Sequence, residues 1–535
     1  MSYEGEQMGK VNRRAASGVL ALVLAIVVLA GACSSSGDSS ATSETDAPSE
    51  SSAVNRDGTL KLGFDMTGNG TFTWEPGFNT SHSSMDPLWY FVYGRLMRAT
   101  EDGSFVPDLA ESVTVVDANT IEIKVRPGQT WHDGAPFDAA SVKAGLDHNL
   151  ATEPASSGFT EPFYAPEGGV SVVDDTTVQI KFPGGTAASW YDSFIAAPPT
   201  TITRPGTYSG TPIGAGPMKA TQYSPDTSLS MERFDDYWNA DQVGFAGIDI
   251  VHIDNGSPQS STAALQSDQA DVVTFDTTQL AALSGALKPA TVSDPTRLMR
   301  MGLCKRDAPL DNENIRKAIS KAIDRDALNE VVFAGTAEKA VQLWPEDNRF
   351  FNPELGDELD YDPEAAKQLV ADSGVANPKF DLYILDNLGL PDTATIVEAQ
   401  LAEVGIEANL IITPDLPGQF LVPQAPGATI FPATQNAGLL KLKDFNGIGA
   451  SNLCSWADPA IQALFDQISQ VSSDTDEAQQ AWWDVQQIYA DETLGVPLLF
   501  GSVVGGYNSD RLVMGGVYPG GLYVVPDIYN SSMAG

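Results

Sequence analysis

Residues 380–412, FDLYILDNLGLPDTATIVEAQLAEVGIEANLII, decide the fold class of this chain. Apolar residues alternate from Phe380 to Ile384, which is the period-2 pattern of a β-strand. The segment from Asp392 to Val404 has the spacing of a helix, and alternation returns from Ile406 to Ile412. A strand, a helix and a second strand in this order predict a βαβ unit, whose strands are parallel and whose sheet is covered by helices. The stretch therefore predicts an α/β fold.

Helical patterns flank this unit on both sides. Upstream, apolar residues recur at helical spacing from Ile315 to Ile323, and a second helix is predicted to begin after Asp324. Asp362, Pro363 and Gly374 mark another helix, because a carboxylate caps its first turn, proline fits the first helical position and glycine ends it. An α/β lobe is therefore predicted from about residue 300 to 500. Its last elements are expected at Pro459–Val471, Asp476–Asp491 and Val496–Phe500.

Strand patterns dominate the first half of the chain. Thr59–Phe64 alternates and is predicted to be the first strand. VTVVDANTIEIK at 113–124 and VSVVDDTTVQIK at 170–181 resemble each other, and in each an Asp-containing turn joins two alternating runs. This pattern is typical of a β-hairpin. Two copies are too few for a repeat architecture, but they predict a strand-rich subdomain over residues 86–204.

Length and charge narrow the possible function classes. A chain of 535 residues exceeds one ordinary domain and indicates two or three. With 42% hydrophobic and 19% charged residues, the chain has the composition of packed domains rather than of a disordered protein. The net charge of −40 repels nucleic-acid phosphates, so the composition argues against nucleic acid as a partner.

Residues 1–33 have the pattern of a lipoprotein signal peptide. Basic residues between Lys10 and Arg14 precede an apolar run from Val19 to Ala32, which is too short to span a bilayer as a helix. LAGAC, which ends at Cys33, is similar to a bacterial lipobox, and this resemblance implies a diacylglycerol on the Cys33 sulfur. The alternative is an ordinary signal peptide with an incidental cysteine. Residues 34–56, which begin with a serine-rich run, are predicted to form a flexible tether.

Two cysteines are left once Cys33 is assigned to a lipid. An even pair in an exported protein favours a disulfide between Cys304 and Cys454, which would close a loop of about 150 residues and stabilise the fold by about 4 kcal/mol in the chain-entropy model. The alternative is two unrelated buried thiols. Neither cysteine lies in a C-x-x-C motif, so the sequence predicts no metal site and no cofactor.

Six sequence blocks occur in an order that resembles a known family. They are VPDLAES (106–112), VRPGQTWHDGAPF (125–137), PIGAGPM (212–218), ERFDDYW (232–238), AALQSDQADV (263–272) and IRKAISKAIDR (315–325). In these blocks the chain resembles the family 5 extracytoplasmic solute-binding proteins, the oligopeptide/dipeptide/nickel-binding group of lipoproteins that serve ABC importers.

The resemblance implies a two-lobed α/β fold of the type II periplasmic-binding-protein kind, with an extra strand-rich subdomain inserted in lobe I. A ligand would bind in the cleft between the lobes and be buried by hinge closure. The implied partners are a small-molecule or peptide ligand, an ABC permease with its ATPase, and the outer face of the cytoplasmic membrane, which a monomer would reach through its lipid anchor. The expected bounds are 57–85, 205–299 and 501–535 for lobe I, 86–204 for the subdomain and 300–500 for lobe II.

Two segments are predicted to contact the ligand. In the family, the stretch after the first strand leads into the cleft, so Met66, Trp74 and Phe78 are expected to form a ligand platform; the alternative is packing against the lobe face. Peptide-binding relatives carry a tryptophan and an acidic run near Gly427–Leu440, where a carboxylate pairs with the amino terminus of the peptide. This chain instead has neutral side chains there, which favour an uncharged polar ligand such as a sugar or a blocked peptide. They are Phe431, Thr434, Gln435 and Asn436.

Two other motifs allow a structural or a functional interpretation. His132-Asp133 invites a catalytic role, but no third ligand or nucleophile accompanies the pair, so a structural turn is favoured. The Gly214–Pro217 loop could bring its backbone to a ligand or could form a turn. An exported hydrolase is the enzyme alternative, but the chain lacks G-x-S-x-G, H-E-x-x-H and Walker A motifs, so no enzyme activity is expected. A sensory receptor with the same fold stays open.

Overall fold

The computed structural model describes residues 54–535 except for sixteen short gaps. The predicted signal segment, Cys33 and most of the tether lie outside the described residues. None of the helices in the described part of the chain is both long and apolar enough to cross a bilayer. The gaps are 67–73, 76–81, 101–104, 152–168, 183–186, 189–190, 192–200, 254–257, 293–296, 357–358, 387–388, 415, 422, 424, 435–456 and 519–522.

Helices and strands alternate along the described residues. The α-helices are α1 (His82–Tyr93), α2 (Ala139–Ala151), α3 (Pro258–Gln266), α4 (Glu313–Ala322), α5 (Arg325–Phe333), α6 (Pro363–Asp372), α7 (Leu390–Glu403), α8 (Pro459–Ser469) and α9 (Asp476–Glu492). The strands of the first half are β1 (Val54–Asn55), β2 (Thr59–Phe64), β3 (Met97–Ala99), β4 (Phe105–Pro107), β5 (Ala110–Asp117), β6 (Thr120–Val125), β7 (Val170–Asp174), β8 (Thr177–Lys181), β9 (Met218–Ser224), β10 (Ser228–Arg233), β11 (Gly247–His252) and β12 (Val272–Phe275). Those of the second half are β13 (Leu287–Val292), β14 (Arg297–Leu303), β15 (Glu338–Lys339), β16 (Lys379–Leu385), β17 (Glu407–Thr413), β18 (Ala428–Thr434), β19 (Gly495–Phe500), β20 (Val503–Asn508), β21 (Leu512–Val513) and β22 (Ser532–Ala534).

Sheet I joins strands from both ends of the chain in the order β13-β20-β12-β2-β11-β10-β9. Its centre is parallel, because β2 runs parallel to both β11 and β12. Leu60, Leu62 and Phe64 of β2 are fully buried on one face. On the other face a Cβ added at Gly63 would lie 2.5 Å from the Ile253 side chain, so both faces of the sheet are covered.

Sheet II contains the predicted βαβ unit and confirms the α/β class. Its strand order is β15-β19-β14-β18-β16-β17, with β16 parallel to both β17 and β18. The helix of the unit, α7, begins two residues earlier than predicted, because Gly389 adopts a left-handed conformation and starts it at Leu390. The chain passes from sheet I to sheet II between Val292 and Arg297, and it returns between Phe500 and Val503. The division into lobes at residues 300 and 500 stays a prediction.

The two echoing segments form hairpins, as predicted, and they pair with each other. The order of this insertion sheet is β5-β6-β8-β7, with β6 and β8 antiparallel at its centre. In each hairpin an aspartate caps the turn: Asp117 accepts a hydrogen bond from the Asn119 N–H, and Asp174 accepts one from the Thr176 N–H. Each hairpin also carries a register shift just before its turn. The two copies therefore share this register shift as well as their sequence pattern.

A buried aspartate fastens this insertion to sheet I. Asp108, from the first sequence block, is fully buried, and burial raises the pKa of its carboxyl group. Its Oδ1 accepts hydrogen bonds from the Tyr237 hydroxyl and, at 2.9 Å, from Trp238 Nε1. Because Tyr237 and Trp238 belong to another of the six blocks, two motifs that are distant in sequence form one structural joint.

Candidate functional site

The two main sheets direct the carboxyl ends of their parallel strands toward the same region. In sheet I, Phe275 at the end of β12 pairs with Val504 at the start of β20, beside the crossing. In sheet II, Thr434 at the end of β18 pairs with Arg297 at the start of β14. Ligands of open α/β sheets bind outside the carboxyl ends of strands. The region between the two sheets at the crossings is therefore the candidate site.

Polar groups mark this edge of sheet I directly after β2. Asp65 is buried, and its Oδ1 lies 3.8 Å from Nδ1 of His252, which ends β11. The Met66 N–H donates to the same Nδ1 at 3.2 Å. Nδ1 of His252 is therefore a hydrogen-bond acceptor in this arrangement. Asp65 and His252 thus form a joint at the carboxyl ends of two neighbouring strands.

The predicted platform residues of lobe I are buried in this conformation. Trp74 is only 2% exposed, and its ring stands edge-on against Tyr93 and Tyr223 with centroid distances of 6.0 and 5.6 Å. The Tyr93 hydroxyl donates to the Trp74 carbonyl oxygen at 2.7 Å. Met66 is equally buried. This is the packing arrangement that the sequence left as the alternative, while a ligand role for Met66 and Trp74 stays a prediction; Phe78 lies outside the described residues.

On sheet II, the predicted residue Phe431 lies beside a buried arginine. The Arg300 Cζ is 4.8 Å from the Phe431 ring centroid, and Arg300 itself is 3% exposed. Burial raises the pKa of the neighbouring Tyr489 to about 12, although Arg300 opposes that shift. The backbone of Thr434 lies at the carboxyl end of β18, whereas Gln435 and Asn436 are outside the described residues. The Arg300 guanidinium and the Phe431 ring therefore form a cation–π contact on this face of sheet II.

Sequence reasoning missed Asp65, His252 and Arg300. Asp65 could have been identified from the sequence, because it is a charged residue directly after a predicted buried strand. Open α/β sheets bind their ligands at this end of their strands. His252 ends β11, a strand that no sequence pattern predicted. Arg300 stands in an otherwise apolar strand, RLMRMGL, and nothing in its spacing indicates that it would pack on Phe431.

The histidine motif and the glycine loop are structural in the described residues. The ring of His132 binds the glycine loop at two positions. Its Nδ1 accepts a hydrogen bond from the Gly214 N–H at 3.2 Å, and its Nε2–H donates one to the Gly216 carbonyl oxygen at 3.0 Å. Burial lowers the pKa of His132 to about 4, so this neutral tautomer persists at neutral pH. A Cβ at Gly214 would lie 1.8 Å from the Val92 carbonyl oxygen, which explains the glycine. The loop is packed against α1.

Cysteine and acidic side chains give no metal centre in the described residues. No group of three His, Cys, Asp or Glu side chains there lies close enough together to hold a metal ion. Cys304 is fully buried after β14 and is disulfide-bonded. Its predicted partner, Cys454, lies outside the described residues, so the pairing stays a prediction.

Comparison with known proteins supports the resemblance seen in the sequence. The family model of bacterial extracellular solute-binding proteins, family 5 Middle, matches residues 104–429. Among curated relatives, the glutathione-binding protein GsiB of Pectobacterium atrosepticum is 26% identical over 358 residues, which are 64% of this chain and 67% of that protein. The match to GsiB of Escherichia coli O1:K1 / APEC spans 60% of that protein's length, at 28% identity.

Solved structures share the fold along most of the chain. NikA from Staphylococcus aureus, in complex with Ni(L-His)2, superposes with a TM-score of 0.76 at 17% identity and covers 89% of this chain and 100% of its own. The oligopeptide-binding protein AppA from Bacillus subtilis, in complex with a nonapeptide, gives a TM-score of 0.74 at 18% identity and covers 90% and 99%. These likenesses confirm the predicted two-lobed type II fold. With its six blocks, its fold and a family match over most of its length, this chain belongs to the bacterial extracellular solute-binding proteins of family 5.

Proposed function

We propose that the protein captures a solute in the cleft between sheets I and II and delivers it to the permease of an ABC importer. The observation that carries this proposal is the arrangement of the sheets: both turn the carboxyl ends of their parallel strands to one region, and the chain crosses between them there. Hinge motion about the crossings would bury a ligand without breaking any of its bonds. The protein therefore acts by binding and has no catalytic step.

Closure follows from differential affinity. A ligand that contacts both lobes binds the closed form more tightly than the open form, so it shifts the population toward closure. A micromolar ligand supplies about 8 kcal/mol of binding free energy in total. Part of this free energy must compensate for the entropy that is lost when the lobes become ordered. Small-angle scattering should show a monomer whose radius of gyration decreases with the true ligand, and mass spectrometry of co-purified solutes identifies that ligand. Consumption of the solute with no change in the scattering profile would contradict the proposal.

The ligand class that we propose is polar and uncharged at its amino end. The segment 427–440 contains no acidic residue, so a buried ammonium would lose a charge-assisted hydrogen bond and bear a desolvation cost. The relatives show that this fold accommodates different ligands, since GsiB is named for glutathione, and NikA and AppA hold Ni(L-His)2 and a nonapeptide. Thr434, Gln435 and Asn436 would supply neutral hydrogen-bonding groups.

Isothermal titration with a matched pair of tripeptides tests this ligand class. We expect an N-acetylated tripeptide to bind at least about tenfold more tightly than the same tripeptide with a free amine. Phe431→Ala should weaken the blocked tripeptide, whereas Tyr361→Ala, which removes an exposed aromatic ring before α6, should not. Tight binding of the free amine would overturn the proposed class but leave solute capture intact.

We further propose that Cys33 carries the lipid that holds the protein at the outer face of the membrane. The support is the lipobox-like LAGAC and the serine-rich stretch that follows it. Cys33→Ser should move the protein from the membrane fraction to the soluble fraction, with unchanged affinity for the solute. An unaltered membrane fraction would contradict lipidation.

A further inference from the structure

The last turn of α2 connects the insertion to the segment that follows β2. His148 lies in this turn, and its Nε2 is 2.6 Å from Oε1 of Glu75. Both side chains are partly exposed, at 27% and 18%. Glu75 directly follows Trp74, which the sequence predicts to be a platform residue. The contact therefore joins the insertion to a segment with a predicted role in ligand binding.

Tyrosines from two other elements also contact this segment. The Tyr93 hydroxyl of α1 donates to the Trp74 carbonyl oxygen, and the Tyr223 ring of β9 meets the Trp74 ring edge-on. Burial raises the pKa of Tyr93 well above its ordinary value and the pKa of Tyr223 to about 12, so both hydroxyls are neutral in the physiological range. Among these contacts, the one from His148 is therefore the contact whose charge can change near neutral pH.

The His148 ring is oriented by its packing against the segment 201–208. It stacks on the Tyr208 ring with a centroid distance of 5.1 Å and an interplanar angle of 24°. The Tyr208 hydroxyl is 2.8 Å from the Thr203 hydroxyl, and burial raises the pKa of Tyr208 to about 12. The helix α2 lies close to the same segment, because a Cβ at Gly145 would be 2.9 Å from the Thr203 carbonyl oxygen. A change in the charge of His148 therefore acts on Glu75 at contact distance.

Glu75 is the carboxylate that contacts His148 in the described part of the chain. The helix α2 packs on β7, on β8 and on the segment 201–208. The charged side chains of these elements form contacts elsewhere, namely Asp147 with Lys143, Asp174 with Thr176, Lys181 with Thr120, and Arg204 with Asp133. Asp175, in the turn between β7 and β8, lies at the opposite end of α2, where its carbonyl oxygen accepts from the Ala139 N–H at 3.0 Å. The charge on His148 is therefore coupled most directly to Glu75.

We propose that His148 is a positioning residue, through which the insertion holds the Trp74–Glu75 segment in place for solute binding, and that this contact weakens as the pH rises through neutrality. Histidine side chains ordinarily change charge between about pH 5 and 8, whereas glutamate side chains are ionised over that range. A protonated ring adds a positive charge to the hydrogen bond with the Glu75 carboxylate and so strengthens it. The contact is therefore strongest when His148 is protonated, on the acid side of neutrality.

The inference rests on the proposed function, because it assigns the Trp74–Glu75 segment to the solute cleft. A segment that is already fixed loses less conformational entropy when a solute binds than one that must first be ordered. A rise in pH would loosen the segment and so weaken solute binding. The insertion would then make solute capture dependent on the pH around the protein.

Hydrogen exchange of the whole protein without ligand tests the contact directly. The measurement compares the protection of the amide hydrogens in a peptide that contains Trp74 and Glu75 at about pH 6 and about pH 8, each corrected for the intrinsic exchange rate. We expect the protection of the native protein to fall at least about threefold over this interval, because the ion pair is lost.

Two variants and one control identify the groups responsible. His148→Gln keeps a neutral N–H donor but cannot be protonated, and Glu75→Gln removes the carboxylate. Each variant should lose the pH dependence and should show, on the acid side, the low protection of the native protein at about pH 8. Lys143→Gln is the matched control, because it removes a partly exposed charge on the same helix and should keep the native pH dependence.

Isothermal titration with the N-acetylated tripeptide separates positioning from a purely structural role. The native protein should bind it at least about threefold more weakly at about pH 8 than at about pH 6, whereas His148→Gln should bind it equally at both. Protection with the same pH dependence in the native protein and in both variants would overturn the inference, and so would a tripeptide affinity that does not change with pH. Failure to bind the tripeptide at either pH would contradict the proposed ligand class alone, and the exchange measurement would then decide the inference.

Discussion

At the residue scale, single side chains join segments that are far apart in sequence. His132 forms hydrogen bonds to the Gly214–Gly216 loop through both ring nitrogens, and Asp108 accepts hydrogen bonds from Tyr237 and Trp238. All of these residues lie in the recurring sequence blocks. These four blocks therefore contribute residues that join separate segments of the fold.

The buried His132 predicts a specific loss of stability in acid. Its pKa is about 4 when folded and about 6.5 when unfolded, so between these values the unfolded state binds more protons. The free energy of unfolding should fall by as much as about 3 kcal/mol as the pH drops through this window. Urea unfolding at several pH values measures the loss, which should be smaller in His132→Gln. Identical pH dependence in the variant would contradict this assignment.

We expect a side chain at position 214 to clash with the backbone of α1. In Gly214→Ala the new methyl group meets the Val92 carbonyl oxygen, so we expect a loss of about 3 kcal/mol or failure to fold. Gly134→Ala, in a nearby block, is the matched control: it has open space and only a left-handed backbone, so it should lose about 1 kcal/mol. Denaturant midpoints compare the two variants. Equal losses would show that the close approach to α1 is not the reason for the glycine.

At the element scale, most of the helices and strands that local patterns predicted agree with the structure to within two residues, but about half of the elements in the described residues had no such prediction. The capped helix is the clearest case. Asp362 accepts from the Ala365 N–H at 2.9 Å, Pro363 begins α6, and Gly374 is left-handed after its end. A helix cap depends only on residues within one turn of the end of the helix, so it can be predicted from the local sequence alone. The pairing of β6 with β8 joins residues about 60 positions apart, and no local pattern encodes such a partner.

The α6 cap gives a prediction at this scale. Asp362→Ala leaves the first turn of the helix without its acceptor and should lower the free energy of unfolding by about 1 kcal/mol. Asp372→Ala, at the carboxyl end of the same helix, should be neutral or slightly stabilising, because a negative charge there opposes the helix dipole. Urea unfolding of both variants checks this. A larger loss in Asp372→Ala would refute the capping role.

At the scale of the whole molecule, ordered sequence blocks predicted the family and the two-lobed fold, whereas the cleft was harder to predict. Whether Trp74 faces a ligand or the core depends on the side of sheet I on which its segment lies. The alternating pattern of β2 ends before Trp74, so it could not predict that side. The lining of the cavity between the two sheets was not predicted either. Its walls come from residues between 274 and 504, which only the folded chain brings together.

The disulfide is a prediction about the whole chain. A bond between Cys304 and Cys454 would restrict the unfolded state, so the double variant Cys304→Ser/Cys454→Ser should lose about 4 kcal/mol. Reduction of the native protein should produce a similar loss, and neither cysteine should react with a thiol reagent after unfolding without reductant. Two reactive thiols under those conditions would show that the pair is not bonded.

The strand β1 near the start of the described chain pairs with β22 near its end, with Val54 opposite Ala534. A chain that emerges from a secretion channel amino end first exposes β1 and β2 early, but it supplies β20 and β22 only at the last moment. All the strands of sheet II lie between Arg297 and Phe500, so that sheet has all its strands while sheet I still lacks one. Sheet I therefore receives its first strand early but is completed after sheet II. Its strand edges stay unpaired until then, so the late export intermediate is the stage most exposed to proteases and chaperones.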